Sequence, residues 1–287
     1  MILLYKYHGL GNDYLIYDPQ KNPTTLNEDT VKYLCHRNYG AGSDGILYGP
    51  FHEDNNSNSL GLKIYNPDGT QAEKSGNGIR IFAAYLKDFG YVFEDSCEIN
   101  TVGGTSKCTY IDGKSHKTRV FMGNASTHSS SFPVVDTNGD KPALDMVSKP
   151  LFFDKCLYYV TCVNIGNPHC VIPLVNISQE LALKLGPTVV NSPHFPNKIN
   201  MQLMKVIDED NIAIEIYERG AGYTLASGSS SCAAAYCAHR LGLTGNNVKV
   251  HMPGGCLDIE IMPDNRLYMS GNVKYIGEFN VVEPSTE

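Results

Sequence analysis

Two short turns hold the residues best placed for chemistry: "KSGNGIRIFAAYL" at 74–86 and "ASGSSSCAAAYCAHRL" at 226–241. Each is a Ser-Gly pair opening onto a helix-like run of small and apolar residues. A helix N-terminus leaves backbone N–H groups without intrahelical partners and carries partial positive charge, so each turn suits a carboxylate. If the two turns shared one amino-acid substrate, Ser75 and Ser227 would reach its α-carbon from opposite faces. That geometry removes a proton on one side and returns it on the other. A plainer reading makes both serines ordinary N-caps, and turn chemistry alone favours it.

The turns belong to a longer repeat. "LGNDYLI" (10–16) resembles "IGNPHCVI" (165–172), the two Ser-Gly turns follow, "TVGGT" (101–105) parallels "MPGGC" (252–256), and "VFMGN" (120–124) parallels "YMSGN" (268–272). Four landmarks in one order at similar spacing imply an internal duplication. Alternating "GLKIYN" (61–66) and "IAIEIY" (212–217) predict strands, as do "KCTYI" and "CLDIEIM" after the Gly-Gly turns. The segment 229–241 predicts a helix with Arg240 in its last turn and Gly242 as its C-terminal glycine. Its alanines at 233, 234, 235 and 238 ask for close neighbours. The expected fold is α+β: two similar, pseudo-symmetric domains, each a curved, mostly antiparallel sheet around one central helix. The expected domains are 1–128 together with 274–287, and 129–273, with a polar linker near "NASTHSSSF" (124–132).

Composition narrows the partners. Of 287 residues, 23 are Lys or Arg and 30 Asp or Glu, giving a net charge of −7 with no basic run. That argues against a nucleic-acid binder and for a small-molecule ligand. No apolar stretch approaches a membrane span, so a cytoplasmic location is expected. The 9 cysteines are odd in number, scattered and never spaced Cys-x-x-Cys, which predicts buried reduced thiols rather than disulfides or zinc. Adjacent His169 and Cys170 are poorly placed to chelate one metal. Asn55-Asn56-Ser57 reads as a polar loop. Gly40, Gly42 and Gly45 fit G-x-G-x-x-G, but a helix-like segment precedes them and a strand-like one follows, the reverse of a dinucleotide site. No serine stands in G-x-S-x-G.

The stretches "KYHGLGNDYLIYD", "YNPDGTQAEKSGNGIRIFA", "NIGNPHCVI", "YERGAGYTLASGSSSCAAA" and "MPGG" together resemble the diaminopimelate epimerase family, in order and over nearly the whole chain. The resemblance implies two similar α/β domains with an active site between them. It also implies a cofactor-independent epimerisation of LL-diaminopimelate to the meso form, serving lysine and peptidoglycan synthesis, with no pyridoxal phosphate or metal. A homodimer is an accompanying expectation.

Residue by residue, the resemblance places the two catalytic positions at Ser75 and Ser227, where the family has cysteines. Gly76, Asn77, Gly228 and Ser229 match the segments holding the reacting carboxylate. Asn12, Asn66, Asn167, Asn200, Glu218 and Arg219 match substrate-contacting positions, with Arg219 at the distal carboxylate. His169 matches a supporting position near the reacting centre, and Gly45 stands where some members carry a polar residue.

Serine is a far weaker acid than cysteine, and as a base it needs a strong partner, for which Glu218 and His169 are the candidates. Cys232, five residues beyond Ser227, reads as core packing. The paired serines leave three readings: engineered replacements, a natural serine subtype that still epimerises, or altered chemistry. Alternatives for the whole protein are a racemase or dehydratase of another amino acid, and a catalytically silent amino-acid binder.

Overall fold

The computed structural model describes residues 1–51, 59–73, 75–131, 134 and 145–283; Asn55-Asn56-Ser57 lies outside them. The chain divides into two compact units, 1–121 with 270–287, and 122–269.

The first unit contains β1 (Ile2–Gly9), β2 (Asn12–Tyr17), α1 (Glu28–Cys35), β3 (Ile46–Phe51), β4 (Ser59–Tyr65), β5 (Gln71–Ala72), α2 (Gly76–Asp88), β6 (Ser96–Thr101), β7 (Gly104–Tyr110) and β8 (Lys117–Asn124), which runs on past residue 121. The second contains β9 (Lys149–Phe153), β10 (Cys156–Asn164), β11 (Pro168–Pro173), α3 (Gln179–Val190), β12 (Asn200–Asp208), β13 (Asn211–Glu218), β14 (Gly222–Thr224), α4 (Gly228–Arg240), β15 (Asn247–Met252), β16 (Gly255–Ile261) and β17 (Arg266–Asn272). The chain then returns to the first unit as β18 (Lys274–Val281).

The pairing pattern repeats. In the first unit β1–β2, β3–β4, β4–β5 and β6–β7 are antiparallel, while β2–β3 and β4–β6 are parallel. In the second, β10–β11, β12–β13, β13–β14 and β15–β16 are antiparallel, while β11–β12 and β13–β15 are parallel. One extra strand edges each set, β18 on β1 and β9 on β10. Each unit is thus a mixed, largely antiparallel sheet, and the duplication read from short motifs extends to every pairing named here.

The central helices are also built alike. Ser75 caps α2 by accepting from the Gly78 N–H, and Ser227 caps α4 by accepting from the Ser230 N–H. At the far ends, Tyr91 N–H bonds Leu86 C=O and Gly90 N–H bonds Lys87 C=O, matched by Leu243 to Ala238 and Gly242 to His239. Both are Schellman closures, which need a left-handed residue, and Gly90 (φ +73°) and Gly242 (φ +70°) supply it. Residues 77–86 of α2 and 230–238 of α4 are buried without a break. The helix α4 touches β10, β11, β12, β13, β15 and β16, so its sheet must curl around it. The run of alanines makes that approach possible.

Each sheet is also covered on its other face. In the first unit Val31, Leu34 and Cys35 of α1 pack with Leu4, Leu15, Tyr17 and Ile46; in the second, Ala182, Leu185 and Val189 of α3 pack with Cys170, Ile172, Met201 and Leu203. The expected central helix of each half is present, and α3 is a further, outer helix of the second unit that the sequence reading did not name. Its sequence hides it, because Gly186 and Pro187 lie in its last turns. Glycine is required there: a Cβ at 186 would stand 2.3 Å from Tyr217 Cγ.

The expected linker is also corrected over its described residues. Ala125 N–H bonds Asn265 C=O, Ser126 exchanges backbone hydrogen bonds with Asn164, and Thr127 is buried against Asp145 and Arg240. Residues 125–127 are therefore stitched into the second unit; Phe132 lies outside the described residues. All 9 cysteines are free thiols, and only Cys156 and Cys256 are exposed. Cys232 is fully buried, as core packing requires. Among the described residues, no helix is long and apolar enough to cross a membrane.

Candidate active site

In the first unit the α2 N-terminus is surrounded by a chain of directed hydrogen bonds. Ser75 Oγ accepts from the Gly78 N–H at 3.0 Å and lies 3.2 Å from the Tyr14 hydroxyl. Beside it, Arg80 Nη2 donates to Asn77 Oδ1 (2.6 Å), Asn77 Nδ2 to Asn12 Oδ1 (3.1 Å), and Asn12 Nδ2 to Asp44 Oδ2 (2.9 Å). Arg37 then bridges Asp44 and Asp13, and Lys6 pairs with Asp13 at 2.9 Å. Burial pushes the Asp13 carboxyl up, but the bonds from Arg37 and Lys6 outweigh it and hold the group below its ordinary range. Each link fixes the orientation of the next, so Asn12 and Asn77 are locked in place. Asn66 is set apart: it is exposed, in a turn where its Nδ2 donates to Thr70 Oγ1 at 3.0 Å.

In the second unit Ser227 Oγ accepts from the Ser230 N–H at 3.3 Å and lies 3.4 Å from Ser229 Oγ. Glu218, at the end of β13, is close enough for the Ser227 side chain to act on its carboxyl electrostatically. Burial drives the Glu218 carboxyl above its ordinary range, and Ser227 offsets only part of that. Asn200 is buried, its Oδ1 accepting from the Arg219 backbone N–H at 3.0 Å, and the Arg219 side chain is exposed. His169 lies beside Asn200 in register and is fully buried, with Nε2 2.9 Å from Asn167 Oδ1. That contact assigns the ring proton to Nε2. Burial pushes the imidazole down to about 3, against a small opposing effect of Gln202, and Arg219 lowers it further. His169 is therefore a neutral ring that braces Asn167.

At both helix ends the N–H groups of the first two residues, Gly76 and Asn77, Gly228 and Ser229, precede the first intrahelical acceptor bonds, Ile79 to Ser75 and Ser231 to Ser227. They are the groups available to an anion. Gly228 lies close against Met269: a Cβ there would stand 2.8 Å from Met269 Sδ, and the end of that side chain would have to move. Among the described residues no group of three or more His, Cys, Asp or Glu side chains could hold a metal ion.

The diaminopimelate epimerase family model matches residues 4–128 and 161–276. The chain belongs to the diaminopimelate epimerase family. It is 46% identical over 275 residues to "Diaminopimelate epimerase 2" of Nostoc sp., covering 96% of this chain and 93% of that relative. It is 34% identical over 280 residues to a diaminopimelate epimerase of Caldanaerobacter subterraneus, covering 96% and 98%. The fold is shared more widely. A probable proline racemase from Agrobacterium radiobacter K84 superposes with a TM-score of 0.68 at 12% identity, covering 98% of this chain and 93% of that one. A PhzF-family phenazine biosynthesis protein from Enterococcus faecalis gives 0.64 at 13%, covering 96% and 97%.

Within each unit the family-matched positions come together: Ser75 with Asn77 and Asn12, and Ser227 with Ser229 and Glu218. Sequence reasoning missed Tyr14, Arg80 and Asp44. Tyr14 was findable, because residues two apart on a strand share a face. Asn12 and Tyr14 repeat Asn167 and His169. Arg80 follows Asn77 by three residues, one helical turn away on the same face, but nothing in its sequence context marks it as buried.

Proposed function

We propose that this member of the family epimerises LL-2,6-diaminopimelate to meso-diaminopimelate by removing the α-proton through Ser227 and supplying another from Ser75, which serve opposite faces of the carbon. As an isomerase of the lysine pathway it needs no pyridoxal phosphate or metal on this reading. It works in the cytoplasm on a small amino acid, not on nucleic acid or membrane, as a homodimer. The observation that carries the reading is the repeated helix end: a serine N-cap, bare N–H groups after it, and a second polar group touching the serine oxygen in each unit.

The reacting carboxylate would sit on the N–H groups of Gly76, Asn77, Gly228 and Ser229. Arg219 would meet the distal carboxylate, and Asn12, Asn66, Asn167 and Asn200 would complete or brace the pocket. At the Ser227 end, Ser227 Oγ takes the α-proton while its own proton passes to Glu218. A carboxyl raised toward the working pH is a better acceptor than one at its ordinary value. At the other end Ser75 delivers its hydroxyl proton to the carbon.

Exchange of the α-proton in deuterium oxide tests this. Incorporation of deuterium with inversion at one α-carbon is the expected result. Tight binding of diaminopimelate without exchange would make the protein a binder, and exchange only with another amino acid would move the substrate.

A further inference from the structure

The Tyr14 hydroxyl, 3.2 Å from Ser75 Oγ, touches the very atom that the proposed function makes a proton carrier. A serine hydroxyl has one proton and two lone pairs. The Gly78 N–H fills one lone pair. With the phenol donating, the second is filled as well, and the serine's own proton is left to point toward a third partner. Ser75 is then set as a donor.

The phenol also answers the weakness of serine as an acid. If Ser75 alone protonated the carbanion it would be left as an alkoxide, whereas an ordinary phenol ionises near ~10. We infer that Tyr14 is the positioning residue and proton partner of Ser75, an inference that rests on the proposed role of Ser75. As the Ser75 proton moves to carbon, the Tyr14 proton moves to Ser75 Oγ. One C–H and one serine O–H bond form, the old serine and tyrosine O–H bonds break, and the carbanion's charge ends on the phenolate. The reverse reaction runs the same transfers backward.

Gly45 is the seat that makes this possible. A Cβ there would lie 2.5 Å from the Tyr65 carbonyl oxygen and 2.8 Å from Tyr14 Cε1, so any side chain displaces the ring. The second unit has no equivalent arrangement. Leu15 pairs with Ile46 and Cys170 with Met201, which makes His169 the counterpart of Tyr14 and Asn200 the counterpart of Gly45. There the ring's Nε2 meets Asn167.

Tyr14→Phe tests the inference in the full-length protein. The expected result is a fall in kcat on the order of tenfold to a hundredfold, with KM within about twofold, and loss of the alkaline limb of the kcat profile. In a Ser75→Cys background the same change should cost under about threefold, because a thiol needs no phenol to carry the charge. Gly45→Ala, which keeps the phenol but moves its ring, should reproduce the kcat loss and covers the case in which Tyr14→Phe does not fold. An unchanged kcat in Tyr14→Phe, or an equal loss in both backgrounds, overturns the inference. Ser75→Ala separates it from the reading beneath: exchange with full inversion in Ser75→Ala ends the role of Ser75 itself, while a Ser75→Ala that no longer inverts beside an unaffected Tyr14→Phe ends only the role of Tyr14.

Discussion

The two units share their pairing pattern, capped helices and Schellman closures, yet differ in what stands against the serine. In the first unit a phenol from β2 lies 3.2 Å from the serine oxygen; in the second the serine's near side-chain neighbour is the Ser229 hydroxyl, and it acts electrostatically on the raised carboxyl at the end of β13. The register makes the difference positional. Ile46 pairs with Tyr65 and Met201 with Tyr217, so the residue after each tyrosine, Asn66 or Glu218, occupies the same place in its unit. Asn66 is exposed and bonded to Thr70, while Glu218 has its carboxyl raised by burial and lowered in part by Ser227. On the proposed function, with Tyr14 donating and Glu218 accepting, the duplicated scaffold gives its two serines opposite proton partners. A reaction that takes a proton from one face and adds it to the other requires that asymmetry.

Removing the acceptor should break the comparison most severely. Glu218→Gln keeps the size of the side chain and abolishes its basicity, and kcat should fall by about 10³-fold, within the range for lost general acid–base catalysis. The sign of the pH effect follows from the raised carboxyl. Ser227 can pass its proton to Glu218 only while the carboxyl is ionised, so wild-type activity is lost as pH falls through a value above the ordinary carboxylate range. Initial rates across pH check both: the acid limb should lie above that range in wild type and vanish in Glu218→Gln.

Much of this asymmetry was legible in the chain, and the part that was not has a physical cause. The repeated Gly-Asn and Ser-Gly motifs exposed the duplication, because turns and caps demand particular residues locally. Arg240 and Gly242 marked the end of α4 for the same reason. The family-matched Glu218 was legible as a candidate partner for Ser227. Tyr14 shares a strand face with Asn12, but its contact with Ser75 was not legible, since a tyrosine in an apolar strand reads as core and its ring lies in the space left by Gly45. Arg80 stayed hidden because its guanidinium is held by long-range partners, among them the Asn272 carbonyl at 3.3 Å. The outer helix α3 was obscured by the glycine that fits it against Tyr217.

The counterpart pair Tyr14 and His169 offers a second break, in stability rather than rate. His169 is buried neutral, with its pKa pushed down to about 3 from the ordinary 6.5. The unfolded chain binds its proton below about 6.5 and the folded chain does not. Stability from this group is therefore full above that pH and is lost as pH falls toward 3. The slope is at most about 1.4 kcal/mol per pH unit, or roughly 2 kcal/mol by pH 5. Denaturant unfolding at pH 7 and pH 5 should show this loss, and His169→Gln should lower stability at pH 7 but flatten the dependence. An equally steep dependence in His169→Gln would place the titrating group elsewhere.

Substituting the family's own nucleophile sharpens the contrast at smaller scale. A thiolate next to the Glu218 carboxylate is disfavoured by like charge, so Ser227→Cys should lower kcat by about tenfold while Glu218 remains. Adding Glu218→Gln to Ser227→Cys should cost far less than it does with serine at 227. A large gain from Ser227→Cys alone would instead mark the serine as an impaired substitute.

The smallest effect separates the capping serine from the proton-carrying one. Ser75→Ala removes both functions, and loss of the cap should cost about 1 kcal/mol of stability. Ser75→Asn retains a side-chain oxygen for the Gly78 N–H, so it should unfold within a few tenths of a kcal/mol of wild type. It cannot supply the hydroxyl proton, and its rate of inversion should be as low as that of Ser75→Ala. If Ser75→Asn instead inverts the α-carbon at the wild-type rate, the serine at the head of α2 is a cap and nothing more. The asymmetry between the units would then rest on the Ser227 and Glu218 pair alone, with the second proton entering from solvent.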